Sequence, residues 1–136
     1  MPDDCVFCRI VAGELPASKV AEDERTLAFM DINPWTRGHA LVIPKRHAAD
    51  LLEIDDEDLA ACASAARRLA ARATERLGAD GVNLVNSCGA LAWQTVFHFH
   101  LHVIPRYEGD SMRLPGTPGG GGGEAEIRAA AEALAS

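Results

Sequence analysis

The chain has 136 residues and a formal net charge of −7, with 48% hydrophobic and 24% charged residues. That is ordinary composition for one domain with a modest core. The acidic balance argues against broad binding to nucleic acid or to an anionic membrane. No apolar run approaches the ~20 residues of a membrane helix. The acidic start, MPDDCVFCRI, lacks the basic flank of a secretory signal, so a cytoplasmic location is expected.

Residues 5–12 read as a short helix that Gly13 can end, and Pro16 opens a turn. Residues 19–23 and 26–31 read as two short strands around the polar turn Asp23-Glu24-Arg25. The stretch 32–38, INPWTRG, has loop composition, and 39–43 is a strand stopped by Pro44. A long helix is expected over 56–77, capped by Asp55 and closed by Gly78. Its apolar face carries Leu59, Ala63, Ala66, Leu69, Ala70, Ala73 and Leu77 at helical spacing. Residues 82–85 form a strand, 87–95 a loop, and 96–104 a strand ended by Pro105. This order predicts an α+β fold, a mainly antiparallel five-stranded sheet with one long helix and short terminal helices. The domain spans 1–110. Residues 111–136 form a tail in which PGTPGGGGG is a flexible linker and the last dozen residues are helix-prone.

Three of the five histidines alternate in the segment His98-Phe99-His100-Leu101-His102-Val103. On a strand, alternate side chains share a face. His98, His100 and His102 therefore line one face, and Phe97, Phe99, Leu101 and Val103 turn to the core. With a rise of ~3.3 Å per residue the outer two lie roughly 13 Å apart, too far to share a metal ion with bonds of ~2.0–2.1 Å. The rings must do separate jobs along a line. Four cysteines include the pair Cys5 and Cys8, a spacing that in a reducing compartment points to metal binding or redox chemistry.

The run HFHLHVI, together with Phe29-Met30-Asp31-Ile32, the segment 38–47 (GHALVIPKRH), the segment 81–86 (GVNLVN) and Gln94-Thr95-Val96-Phe97, resembles the histidine-triad family over residues 5–107. The resemblance is to its nucleoside phosphoramidase-like branch. It implies a purine-nucleotide hydrolase or transferase that cleaves at the α-phosphorus of nucleoside 5′-phosphoramidates or related conjugates. His100 would be the nucleophile, His102 an imidazolium beside the leaving group and His39 their neighbour. The resemblance further implies that Asn86, Gln94 and Thr95 line the phosphate site and that Asp31 binds the ribose. Val6, Phe7, Ile10, Phe29 and Ile32 would line the base pocket. It implies structural zinc on Cys5, Cys8, His47 and His98, with no organic cofactor, and a homodimer whose sheets join across a two-fold axis. Dinucleoside polyphosphate hydrolysis or phosphorolysis, and nucleotide binding without turnover, are the rival readings. Nucleotidyl transfer between sugars is disfavoured, since that branch has glutamine in place of His102. Family members often carry a small pair before the glutamine, whereas this chain has Ala92-Trp93.

Overall fold

The structure, a computed structural model, describes residues 4–113, 116 and 120–135. In chain order the elements are α1 (Val6–Val11), β1 (Lys19–Glu22), β2 (Thr26–Met30), β3 (Ala40–Pro44), α2 (Asp56–Leu77), β4 (Gly81–Val85), β5 (Leu101–Arg106) and α3 (Glu124–Leu134). A single 3-10 turn, Ala90–Ala92, interrupts the loop between β4 and β5. The five strands form one open antiparallel sheet in the order β1-β2-β3-β5-β4. This is the α+β architecture expected from the sequence.

Two helices cover opposite faces. Helix α2 lies over Ala28, Val42, Phe99 and Val103. On the other face α1 brings Phe7 and Ile10 against Leu27, Phe29, Leu41 and Ile43. Strands β2 and β3 are therefore apolar on both sides and read as unbroken apolar runs. The Asp55 side chain accepts the Asp58 N–H, and Gly78 closes α2 in the left-handed conformation. Arg25, in the β1–β2 turn, binds the Asp58 and Glu57 carboxylates at 2.8 and 2.7 Å and ties the hairpin to the start of α2.

Several boundaries differ from the sequence reading. The last core strand begins at Leu101 rather than residue 96, because its neighbours run out: Val42 pairs with Leu101 and Val85 with His102. Upstream, Phe99 N–H donates to Ala48 carbonyl as an isolated bond at 2.7 Å. Phe97 accordingly lies outside the core, 48% exposed. β3 ends at Pro44, as expected, whereas β5 runs one residue past Pro105 to Arg106. Each sits where the strand is paired on one side only, Pro44 with Thr26 and Pro105 with Val82, so the missing N–H forfeits no ladder bond. On α2, Ala63 is exposed, while Cys62 and Ala65 are buried in its place. Part of the expected linker, residues 115 and 117–119, lies outside the described residues. The helix-prone end does form α3, and every residue of it is exposed.

Gly38 marks where the chain turns into β3. Its φ is +89°, and a Cβ there would meet Leu77 Cδ1 at 2.5 Å. Gly38→Ala is expected to cost about 1–3 kcal/mol from backbone conformation alone, with the clash added. Urea unfolding would read this as a lower midpoint at unchanged m; an unchanged midpoint would contradict the packing of α2 against this turn.

Candidate functional site

Residues 96–100 bend across the end of the sheet and enter β5 at Leu101, and this delivers the three histidines to different neighbours. His98 is fully buried, and its Nε2–H donates to the Pro44 carbonyl at 2.7 Å. Its Nδ1 lone pair then points at Cys5 Sγ (3.4 Å), Cys8 Sγ (3.5 Å) and His47 Nδ1 (3.2 Å). Cys8 Sγ lies 3.3 Å from His47 Nδ1. The four candidate ligand atoms all lie within 4.8 Å of one another. A tetrahedron with bonds of ~2.0–2.3 Å has edges of roughly 3.3–3.8 Å, which these separations approach. The carbonyl behind His98 is the outer partner that a ligating imidazole ordinarily has. Burial pushes the Cys8 thiol up to about 11 and the His98 imidazole down to about 4. Any metal here must displace the cysteine protons, while the neutral imidazole is already in its ligating form.

His100 is 7% exposed, and its Nδ1–H donates to the His98 carbonyl at 2.8 Å. That bond leaves a lone pair on Nε2. Burial lowers its pKa from the ordinary histidine value, against the opposing pull of the carbonyl hydrogen bond. Asn86 Nδ2 donates to the His100 carbonyl at 3.0 Å, so the backbone is held on both sides of this ring.

A second chain of hydrogen bonds runs through His39 and His102. Trp35 N–H donates to His39 Nδ1 at 3.0 Å, which puts the His39 proton on Nε2. That N–H faces His102 Nδ1 at 2.9 Å, which in turn leaves His102 with its proton on Nε2. Asp31 Oδ2 lies 3.5 Å from the same His39 nitrogen, and Asp31 Oδ1 accepts from Asn33 N–H. Asp31, His39 and His102 are close enough to be mistaken for metal ligands. The Trp35 bond argues otherwise, because metal on His39 Nε2 would put a proton on Nδ1 facing the Trp35 N–H. Burial, then the neighbouring His100 and His39, push the His102 pKa down to about 4. Without a ligand His102 is thus a neutral N–H donor, where the sequence alone pointed to an imidazolium.

His100 and His102 open into a cavity of about 580 Å³. Their ring centroids are 5.0 Å apart, closer than the roughly 7 Å of alternate positions along a regular strand. The cavity wall includes Val6, Phe7, Ile10, Phe29, Asp31, Ile32 and Thr95, all singled out in the sequence. Phe7 meets His100 edge-on at 5.2 Å and Phe29 at 5.4 Å. His39 and Asn86 stand behind this wall. Gln94 does too: its amide accepts from Gly89 N–H and donates to the Ala49 and Val96 carbonyls, so every bond it makes holds the loop. Trp35 and Ser87 line the cavity and carry no sequence pattern that marks them; Trp93 was visible only as a departure from the usual small residues.

A family model described as HIT domain matches residues 12–109. An uncharacterised HIT-like protein of Methanocaldococcus jannaschii is 47% identical over 106 residues, which cover 78% of this chain and 81% of that protein. The adenylylsulfatase HINT3 of Arabidopsis thaliana is 40% identical over 112 residues, 82% of this chain but 57% of that longer protein. Among solved structures, a Zn-bound histidine triad family protein from Mycobacterium smegmatis aligns with a TM-score of 0.79 at 48% identity, covering 85% of this chain and 84% of that one.

Proposed function

Because this chain belongs to the HIT family, we propose that it hydrolyses nucleoside 5′-phosphoramidates and related nucleotide conjugates at the α-phosphorus, through a nucleotide bound covalently to His100. The observation that carries the reading is the His100 tautomer: Nδ1–H is committed to the His98 carbonyl, and the ring faces the cavity that also holds Asp31 and His102. An imidazole so held is a nucleophile at neutral pH without a separate base.

In this reading the parts are as follows. The purine lies between Phe7, Phe29 and Ile32, and the ribose hydroxyls reach Asp31. His100 Nε2 forms a bond to phosphorus as the bond to the leaving atom breaks. The Nδ1–H···O=C bond strengthens as the ring gains positive charge. An amine departs with the proton its bridging nitrogen takes up on binding, hydrogen-bonded by the Nε2–H of His102. His39 is the positioning residue that keeps that N–H outward. Water then attacks the phosphorus, releases the nucleotide and a proton, and returns the Nε2 lone pair to His100. Adenylyl sulfate, the substrate implied by the name of the Arabidopsis relative, fits the same scheme with sulfate as leaving group.

We further propose that zinc joins Cys5, Cys8, His47 and His98, as the near-tetrahedral spacing and the Zn-bound mycobacterial relative support. It would supply a structural clamp between α1 and the sheet, with no open position for substrate. The unpaired edge of β4, with Leu84 half exposed, is where a second copy would extend the sheet across a two-fold axis. No helix among the described residues is long and apolar enough to cross a membrane.

The test is release of adenylate from adenosine 5′-phosphoramidate, with samples denatured at alkaline pH, where a phosphorus–nitrogen bond to histidine survives, and weighed for adenylate attached to the protein. Release with adenylate recovered on the peptide carrying His100 is expected. No release from this compound or from adenylyl sulfate would refute the reading.

A further inference from the structure

Trp35 and Trp93 line two spaces at once: the main cavity and a second one of about 440 Å³ whose wall also includes Met112 and Arg113. The Trp35 ring lies nearly parallel to His102, 14° between planes and 5.8 Å between centroids. His100 meets the same ring at 65°, with centroids 5.0 Å apart. Trp35 and Trp93 line the same cavity as Phe7 and Phe29, the residues of the proposed nucleoside lobe. A group that departs from the phosphorus beside His102 thus has the stacked Trp35 within reach.

Both indoles are exposed, Trp35 by 48% and Trp93 by 63%. Neither exposure is what packing alone would choose for so large an apolar ring. Trp93 is also the one non-glycine residue with positive φ among the described residues, at 75°. A bulky side chain in that region is an outlier for which glycine would be free of strain. The loop does not need the indole as an anchor, since Gln94 already closes it with three hydrogen bonds. A strained backbone that holds an aromatic face out beside a reaction cavity is a device for contact with a ligand.

We propose that Trp35 and Trp93 form a leaving-group subsite for a planar aromatic ring, with Arg113 on the wall of the same space. This names the substrate class of the phosphoryl-transfer site and rests on that reading. The favoured substrates are nucleotide conjugates whose leaving group carries a flat ring a short linker away from the phosphorus. Both tryptophan faces bind such a ring by stacking, without a hydrogen-bond code.

Two adenosine 5′-phosphoramidates test it, one of 2-phenylethylamine and one of 2-cyclohexylethylamine. The amines share the two-carbon linker and a six-membered ring and differ chiefly in flatness. The wild-type chain is expected to favour the phenyl compound in kcat/KM by about tenfold, the worth of one aromatic stack. Trp93→Gly, which suits the positive φ, and Trp35→Leu should each bring that ratio to within about twofold of unity. A merely structural role would lower both substrates alike and leave the ratio standing. Equal turnover of both compounds by the wild-type chain, or a ratio that survives both substitutions, would overturn the subsite and leave the phosphoramidase reading intact. Turnover of neither compound, with adenosine 5′-phosphoramidate still hydrolysed, would likewise overturn the subsite alone; turnover of none of these amidates nor of adenylyl sulfate would overturn both.

Discussion

His100→Ala is expected to slow nucleotide release by about 10⁴-fold or more while the chain still binds adenylate. The size of the loss follows from what the ring supplies. It provides the atom that bonds to phosphorus, a pre-set tautomer through the 2.8 Å bond to the His98 carbonyl, and a path that splits one displacement into two. His102, at a centroid separation of 5.0 Å, cannot substitute. Its Nδ1 lone pair is turned to His39, and the nitrogen that faces the cavity carries a proton. Binding should survive because the apolar lobe of Phe7, Phe29 and Ile32 and the Asp31 carboxylate are untouched. Calorimetric titration with adenylate, beside steady-state release assays, separates the two effects. A variant that still turns over within tenfold of wild type would remove His100 from the covalent role, since general acid–base help alone is worth only about 10²–10⁴-fold.

The fold was legible where local chemistry sets a boundary and illegible where a distant partner does. Helix α2 runs from Asp56 to Leu77 as its caps dictate, because Asp55 and Gly78 act on their own turn of chain. The histidine strand was read five residues too long at its start. Its alternation of apolar and polar residues continues to Phe97, but a strand needs a neighbour, and β3 and β4 stop pairing at Val42 and Val85. The same rule explains how a strand can end on Pro44 or pass through Pro105: the cost of a missing N–H depends on which side is paired. Alanine-rich helix faces are weakly determined as well. Nothing in the composition of α2 distinguishes exposed Ala63 from buried Ala65.

The site divides along the same line. The imidazoles, Asp31 and the apolar residues of α1 and β2 announce themselves through residue type and spacing. Asn86 and Gln94 show that an amide in the right segment has more than one use. Both lie near the histidines, yet their bonds run to backbone: Asn86 to the His100 carbonyl, Gln94 to Gly89, Ala49 and Val96. Such bonds are set by how loops converge, which no spacing encodes. Trp35 is a more general case. Its backbone N–H fixes the tautomer of His39 and, through it, that of His102. A main-chain donor leaves no mark on residue identity.

Removing metal is expected to have the other large effect, and on two properties at once. Cys5 is the N-cap of α1, Cys8 lies one turn further on, and both face His47 and His98. Helix α1 has only six residues, too few to persist alone. Zinc held at about 1,000 times its dissociation constant would add roughly 4 kcal/mol to the stability of the folded state. For a domain near this size that corresponds to a melting point higher by roughly 10–30 °C. Chelation, or Cys8→Ser, should therefore lower the midpoint by an amount of that order. Because Phe7 is the residue beside Cys8 and packs on His100 at 5.2 Å, loosening α1 should also weaken adenylate binding, although none of the four proposed ligands lines the cavity. Cys62→Ser offers the contrast, since that buried thiol lies on the core face of α2 outside the cluster and its loss should leave adenylate affinity alone. Elemental analysis of protein purified without added zinc, scanning calorimetry with and without chelator, and adenylate titration form one experiment. Metal-free protein whose melting point ignores the chelator would show that these four side chains hold nothing. Chelation that lowers the melting point but spares adenylate affinity would break the proposed link from the clamp, through α1, to the base pocket.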